Sequence, residues 1–293
     1  MTNKTQTEMY KKNSSFGYSL KTGLFKTIKV LFLSLFSLLM IYPLYWLITS
    51  AFKTNEEFFA QPYSFPAGIA FENFIRAWDV ANLGQAMVNS IIVTLSATAL
   101  TVFLGALTAY VLSRFSFKLK GFLIVFFLLG MLIPVHSTLV PLFTLMNTIG
   151  LLDSYWALIL PYTAFELPIA IFLTVAHMST VPKELEEAAV IDGTGYWGIF
   201  FKVMLPLSVP ALATVAILSF LRFWNEFAFA LVFINDNALK TLPLSLAVFS
   251  DGFSTDYALT MAAMTIAVIP TIIMYVLFQE QIMKGMVAGA VKG

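Results

Sequence analysis

Three ionisable residues lie inside long apolar stretches of the sequence, and they are the first candidates for chemistry. Glu166 interrupts one such stretch, and Arg222 and Glu226 interrupt another. A charge at the centre of a bilayer costs about 3 kcal/mol or more, so each side chain needs a partner, a proton or water there. Side chains in this position form ion pairs, carry protons or contact a polar solute inside a membrane.

Metal and nucleophile chemistry have no support in the sequence. His136 and His177 are far apart in the chain and lack the spacing of metal ligands. The chain contains no cysteine, which excludes disulfides and thiolate metal sites. We therefore expect no catalytic residue, no metal site and no cofactor bound by this chain.

The composition indicates the solvent in which these residues lie. Hydrophobic residues make up 59% of the 293 residues and charged residues only 11%, with a mean hydropathy of +0.85. A soluble domain carries about 25% charged residues, because its surface faces water. The main solvent of this chain is therefore lipid. The net charge of +1 also gives no basic field for nucleic acid.

Uncharged runs of about 20 residues or more indicate the membrane spans. Four such runs, and two similar stretches interrupted by Glu166 and by Arg222 and Glu226, predict six helical spans and an all-α polytopic membrane protein, because transmembrane strands are short and alternate in polarity. The predicted spans are residues 30–52, 87–112, 122–145, 155–177, 207–233 and 257–279. They form one transmembrane domain over residues 27–293, which follows an N-terminal tail over residues 1–26.

The basic residues predict how the spans are oriented. Thirteen of the 17 lysines and arginines fall in residues 1–29, the loops over 113–121 and 178–206, and the C-terminal tail. Three fall in the loops of the opposite side. Positively charged loops stay in the cytoplasm, so both termini are predicted to be cytoplasmic.

Two of the intramembrane charges are predicted to lie at the same depth. Glu166 and Arg222 each lie about 11 residues, or roughly 17 Å, from the outer ends of their spans at about Tyr155 and Phe233. This depth is near the middle of the bilayer. We therefore predict an ion pair between Glu166 and Arg222. Glu226, one helical turn from Arg222, is the alternative partner and would form a purely local pair.

The loop over 178–206 is the cytoplasmic segment long enough to hold structure of its own. Pro182 suits the first position of a helix, and the glutamates that follow it complement the helix dipole. Gly193 is predicted to end that helix, and a second short helix is predicted over 196–204. Taken alone, this pattern also fits an ordinary amphipathic loop at the membrane surface.

The loop resembles the EAA motif of binding-protein-dependent ABC importer permeases, and it lies between the fourth and fifth of six spans, as that motif does. The matching positions are Glu187, Ala188, Ala189, Gly193 and residues 203–206, where only Val203 departs from the usual isoleucine. The resemblance implies a type I ABC importer permease fold in which this segment is the coupling helix that docks on an ATPase. The residues that it assigns to ATPase coupling are Glu187, Ala188, Ala189, Asp192 and Gly193.

Further segments resemble the carbohydrate-uptake branch of that family, the permeases of the maltose-system type. They are residues 223–227, 241–243 and 288–293, and the pair Asn89-Ser90. The resemblance implies one permease subunit of a bacterial importer that moves a sugar, expected to be an oligosaccharide, into the cytoplasm by alternating access. The implied partners are a second homologous permease, two ATPase subunits and an extracytoplasmic solute-binding protein, and the implied location is the bacterial cytoplasmic membrane.

The sequence contains no G-x-x-x-x-G-K-[ST] phosphate-binding loop. ATP and Mg are therefore expected to be used by the partner ATPase, and this chain is predicted to be non-catalytic. Two alternatives stay open. One is a permease for another solute, such as a polyol, a glycerol phosphate or a peptide. The other is a self-sufficient, proton-coupled secondary transporter that uses Glu166 or Glu226 as its proton site.

The predicted substrate pathway combines aromatic faces with polar groups. Sugars stack on flat apolar faces and bind polar groups through their hydroxyls. Trp224, Asn225 and Glu226 offer both at one level, and Asn89 with Ser90 offers further polar groups. Packing against lipid or within the core is the alternative interpretation of Trp224.

Overall fold

The computed structural model describes residues 3–250 and 256–290, and the side chains of residues 25–249 and 256–279. The described residues form helices and no strand. The α-helices are α1 (Asn3–Ala51), α2 (Asn55–Ala60), α3 (Glu72–Val80), α4 (Leu83–Arg114), α5 (Lys120–Met131), α6 (Leu139–Thr148), α7 (Trp156–Met178), α8 (Glu184–Ile191), α9 (Tyr196–Ile199), α10 (Leu205–Leu207), α11 (Val209–Trp224), α12 (Ala228–Phe233), α13 (Leu242–Ser245) and α14 (Tyr257–Ala290). Short 3-10 turns lie at Val135–Thr138, Asn237–Leu239 and Leu246–Ser250, and Phe200–Met204 forms a π-helical turn.

The helices confirm an all-α chain with several membrane spans. Four segments are long and apolar enough to cross a bilayer: Phe25–Ala51, Leu83–Arg114, Trp156–Met178 and Tyr257–Gln279. Two bent pairs also qualify by length and composition: Lys120–Met131 with Val135–Thr148, and Tyr196–Leu207 with Val209–Trp224. The described chain thus has four continuous spans, and six if each bent pair forms one span.

The third predicted span, over 122–145, is not the straight helix that its uncharged run indicates. α5 ends at Met131, and the chain bends by 95° between the two halves of this segment. Pro134 lies at the bend with extended backbone, at φ −68° and ψ 116°. Proline lacks the N–H that a continuous helix needs, so the helix breaks there although the side chains stay apolar.

The fifth predicted span, over 207–233, is divided. α11 ends at Trp224, and α12 begins at Ala228, so residues 225–227 interrupt the helix. Non-helical backbone at membrane depth occurs only where it is buried in protein or lines a water-filled cavity, because lipid offers no hydrogen-bond partner. The interruption at 225–227 therefore does not face lipid.

Helix α1 lies at the periphery and α7 lies near the centre. In the most apolar 18-residue stretch of α1, within Phe25–Ala51, no residue is buried inside the chain. In the most apolar 18-residue stretch of α7, 56% of the residues are buried. α1 is also continuous across residue 26, so the predicted boundary between the tail and the transmembrane domain is not a break in the helix. That boundary stays a prediction about where the membrane begins.

The core lies between α4, α7 and α11. Gly105 of α4 lies so close to α7 that a Cβ atom there would be 3.0 Å from the Cβ of Ala170. Small residues of this kind let membrane helices approach closely. Apolar side chains then join these helices to α12, and they include Val93, Leu158, Phe223 and Phe233.

Contacts between loops lie at the two opposite ends of α4. Near its first residues, Asn89 bonds the carbonyl of Ala238. At its last residue, Arg114 bonds the carbonyl of Val181. This separation agrees with the alternation of loops that the basic residues predict. Which end faces the cytoplasm stays a prediction.

Candidate functional site

The predicted coupling segment forms helix α8, a two-turn helix near the C-terminal end of α4. Its first turn contains three glutamates, which complement the positive end of the helix dipole. Every residue of α8 is at least partly exposed, and Ile191 is 86% exposed. Exposed apolar side chains of this kind are typical of a surface that contacts another protein or the membrane.

Gly193 ends this helix in left-handed backbone, at φ +79°. The N–H of Gly193 donates to the carbonyl of Val190, and the N–H of Thr194 donates to that of Ala189, both at 2.9 Å. This pair of bonds is the Schellman arrangement, which favours glycine. The prediction that Gly193 stops the helix is confirmed. The predicted second helix over 196–204 corresponds to α9 and the π-helical turn that follows it.

The other residues assigned to coupling lie on or directly after α8. Glu187 and Ala188 are exposed, Ala189 is half-buried, and Asp192 is exposed directly after the helix. The structure thus brings all five assigned residues into one short segment on the surface. Their contact with an ATPase stays a prediction.

Arg114 joins α8 to the membrane domain. Its Nε lies 2.5 Å from Oε1 of Glu186, and its Nη2 donates to the carbonyl of Val181 at 2.8 Å. The two side chains are only 7% and 15% exposed. Burial raises the pKa of Glu186, while the nearby positive charges of Arg114 and Lys183 act in the opposite direction. The sequence offers no signal for this pair, because the two residues are far apart in the chain.

The side chains of Glu166 and Arg222 are in direct contact, as expected if both residues lie at the same depth in the membrane. Nη1 of Arg222 donates to Oε2 of Glu166 at 2.9 Å. The Glu166 side chain is only 5% exposed, whereas that of Arg222 is 46% exposed. A guanidinium at this depth is too costly to leave in hydrocarbon, so the exposed side of Arg222 faces water or another protein.

Glu226, the alternative partner of Arg222, is engaged elsewhere. Its carboxylate accepts a hydrogen bond from the hydroxyl of Tyr162 at 2.5 Å and one from the N–H of Phe229 at 2.8 Å. The second bond satisfies an N–H in the first turn of α12, where an acidic group complements the helix dipole. Glu226 therefore holds α12 against α7 directly after the interruption of the fifth span.

Asn89 and Ser90 are buried, and they anchor the segment over 238–242. The Asn89 side chain donates to the carbonyls of Ala238 and Lys240 at 2.8 and 2.9 Å. The Ser90 hydroxyl accepts from the N–H of Leu242 at 2.7 Å. The predicted contact of Asn89 and Ser90 with the substrate stays a prediction, and in this structure their polar atoms are enclosed and already paired.

Removing the Asn89 side chain is expected to destabilise the anchored segment. Asn89→Ala leaves two carbonyls without their donor, which costs about 1–3 kcal/mol. Thermal unfolding of the purified protein in detergent measures this loss as a lower midpoint. Asn147→Ala removes the same group from an exposed position and is the matched control. An unchanged midpoint for Asn89→Ala contradicts the anchoring role.

Trp224 and Asn225 have different environments. Trp224 is buried, and its ring stacks on Phe220 with centroids 5.6 Å apart. Asn225 is exposed. Both residues line a cavity of about 300 Å³ that α1 and α14 also border. The structure therefore favours core packing for one face of Trp224 and leaves Asn225 open to a solute.

Proteins of known class resemble this chain over most of its length. A family model described as "Binding-protein-dependent transport system inner membrane component" matches residues 101–287. The "Probable ABC transporter permease protein YurM" of Bacillus subtilis is 42% identical over 262 residues, which cover 89% of this chain and 87% of that protein. The "Diacetylchitobiose uptake system permease protein NgcG" of Streptomyces coelicolor is 38% identical over 260 residues, with coverages of 88% and 86%.

A solved structure shares the fold. It is the crystal structure of a bacterial ABC transporter involved in the import of the acidic polysaccharide alginate, with a TM-score of 0.78 over 88% of this chain and 96% of that chain. At 22% identity, this likeness shows the fold alone. The family match, however, includes α8, Gly193 and the interrupted fifth span. The chain therefore belongs to the binding-protein-dependent transport system inner membrane components, and it is a multi-pass inner-membrane permease of the ABC transporter class.

Proposed function

We propose that this chain is one permease subunit of an ATP-driven importer that moves an oligosaccharide into the bacterial cytoplasm by alternating access. The observation that carries the proposal is the exposed helix α8, ended by Gly193 and included in the family match. The chain has no phosphate-binding loop of its own. ATP and Mg are therefore assigned to a partner ATPase, and no cofactor is assigned to this chain.

The relatives support a sugar as the substrate. The relative that is 38% identical is named for the uptake of diacetylchitobiose, and the solved structure with the same fold belongs to an importer of alginate. Both compounds are chains of linked sugars, and this supports an oligosaccharide for the present chain. A polyol, a glycerol phosphate or a peptide is the alternative substrate class.

The proposed assembly contains two permeases, two ATPase subunits and an extracytoplasmic solute-binding protein. Both termini and α8 lie on the cytoplasmic side in this proposal, and the segments over 53–82 and 234–249 face the solute-binding protein. The side chains of α1 are mostly exposed within this chain. A second, homologous permease is a partner that can cover part of this apolar surface.

The proposed substrate pathway passes the interruption at 225–227. Arg222, in the last turn of α11, and Asn225, directly after that helix, are three residues apart and both exposed. Interrupted helices at membrane depth form solute sites in other transporters, because their free backbone and polar side chains need non-lipid partners. Movement at 225–227 between α11 and α12 is our proposed basis for alternating access.

Reconstitution tests this function. The chain is tagged in its own bacterium, and the complex is purified from the membrane with its copurifying subunits. Vesicles that contain the complex are expected to accumulate a radiolabelled di- or oligosaccharide only with internal ATP and external solute-binding protein. Uptake by the chain alone, driven by a proton gradient, would instead establish a secondary transporter.

Asn225→Leu is expected to weaken sugar uptake. The change removes a polar group from the proposed pathway, and one lost hydrogen bond to a polar solute costs about 1.4 kcal/mol, which is a tenfold change in half-saturation. Uptake at several sugar concentrations separates this loss from a general defect. Asn147→Leu is the matched control, since Asn147 is exposed and outside the proposed pathway. Equal uptake by both variants excludes Asn225 from the pathway.

A further inference from the structure

Arg114 contacts the coupling loop at two separate points. One contact reaches Val181, before α8 begins, and the other reaches Glu186 within α8. The Nη2–Val181 contact is a hydrogen bond and the Nε–Glu186 contact is a charge contact, so the two together restrict the position of the helix relative to α4. α8 is therefore held against the end of α4 at more than one position.

An aromatic cluster surrounds this attachment. Phe115, directly after α4, packs edge-to-face against Tyr110 of α4 and Tyr196 of α9, with centroids 5.5 and 5.3 Å apart. Tyr110 also contacts Phe200, which is fully buried. These rings reduce the access of water to the ion pair, and the lower local dielectric strengthens its attraction. The attachment is therefore more rigid than an exposed surface ion pair.

Helix α4 extends from this attachment to the opposite face of the chain. It contains 32 residues without a proline, which corresponds to a length of about 48 Å. Near its outer end, Asn89 and Ser90 hold the segment over 238–242 through three hydrogen bonds. One uninterrupted helix thus connects the coupling loop on one face with an outer segment on the other.

We propose that Arg114 is a positioning residue that fixes the coupling helix α8 to α4, so that both move as one body and transmit displacement to the outer 238–242 segment. This inference rests on the proposed function, because it requires a partner ATPase that moves α8. Arg114 itself touches neither the sugar nor ATP in this scheme. Its role is to prevent α8 from moving independently of the membrane helices.

Uptake and ATP hydrolysis by the purified complex test the role of Arg114. Arg114→Gln is expected to keep the ATPase subunits bound and to hydrolyse ATP, but to lower sugar uptake per ATP by about tenfold, the scale on which one buried charge-assisted bond changes an equilibrium. Glu186→Gln is expected to have a smaller effect, since the Arg114–Val181 bond persists. The double variant is expected to be no worse than Arg114→Gln, because both changes remove one interaction. Lys118→Gln, which removes an exposed positive charge from the loop after α4, is the matched control.

A distance measurement tests the movement directly and does not depend on uptake. The chain has no cysteine, so cysteines at the exposed positions Val111 of α4 and Ile191 of α8 accept spin labels. In the complex, the distribution of distances between the two labels is expected to be narrow, and its mean is expected to be the same with and without ATP. In Arg114→Gln, the distribution of distances between the same two labels is expected to broaden.

The outcomes separate this inference from the proposed function. A label distance that shifts with ATP in the otherwise unchanged chain overturns the inference. Normal uptake per ATP by Arg114→Gln, in a complex that contains its ATPase, overturns it as well. A membrane complex without any ATPase overturns the proposed function, and the inference falls with it.

Discussion

Valine in place of Gly193 is expected to abolish ATP-driven uptake while the chain still reaches the membrane. Gly193 has φ +79°, a conformation in which a β-branched residue is strained by about 1–3 kcal/mol. No atom lies within 4 Å of the position that a Cβ would take, so the cost is in the backbone and not in a clash. The Schellman bonds at the end of α8 would be lost, and the segment would leave its docking geometry. The membrane core is unaffected, because every residue of α8 is at least partly exposed.

Two further glycine variants make this result specific. Gly195→Ala is the matched control, since Gly195 has an ordinary φ of −76° and no atom within 4 Å of a Cβ. Uptake by this control is expected to be close to that of the unchanged chain. Gly193→Asn is expected to recover part of the activity, because asparagine tolerates left-handed backbone better than valine does. Full uptake by Gly193→Val, or equal loss in Gly195→Ala, contradicts the proposed coupling role.

Arg222→Gln is expected to have the second large effect, a loss of both stability and uptake. The change leaves the buried Glu166 carboxylate without its partner. Removing one member of a fully buried ion pair lowers the free energy of unfolding by about 3–5 kcal/mol. Because the Arg222 side chain is half-exposed, the expected loss here is about 1–3 kcal/mol. Glu166→Gln is expected to cost less, because the remaining guanidinium is already half-exposed. Thermal unfolding and uptake of the two variants measure the difference.

The double variant decides whether the two charges act as a pair. Glu166→Gln together with Arg222→Gln removes the unpaired buried charge, so the double variant is expected to be more stable than Arg222→Gln alone. Arg76→Gln breaks a pair with Asp256 in which Arg76 is half-exposed, and this control is expected to have little effect. Additive losses in the double variant contradict a direct contact between Glu166 and Arg222 in the membrane.

The coupling segment was well predicted because its determinants are local. A proline before the helix, acidic residues in the first turn and a glycine after the last turn favour one short helix by backbone chemistry alone. The observed helix, Glu184–Ile191, and the positive φ of Gly193 follow from these residues. The contact between Glu166 and Arg222 was also predictable, because helix geometry converts sequence distance from the membrane surface into depth.

The breaks in the third and fifth spans were not predicted. Apolar runs indicate that a segment can cross lipid, but they do not show whether its backbone is continuous, since the same side chains suit both cases. Pro134 was a visible cause for the third break, although several other prolines lie inside continuous helices, as Pro161 and Pro168 do in α7. At the fifth break, Tyr162 of another helix holds Glu226, and the sequence does not show this contact.

By itself, the sequence determined the solvent, the approximate spans and the coupling helix, because the scarcity of charge and the local chemistry of turns need no knowledge of distant residues. Only the tertiary structure decided the roles of polar residues that meet across the fold. Asn89 and Ser90 anchor the segment over 238–242, and Arg114 contacts Glu186. The physical reason is that a buried polar group must find its partner in space, and helix packing, not sequence distance, sets which groups come within hydrogen-bonding range.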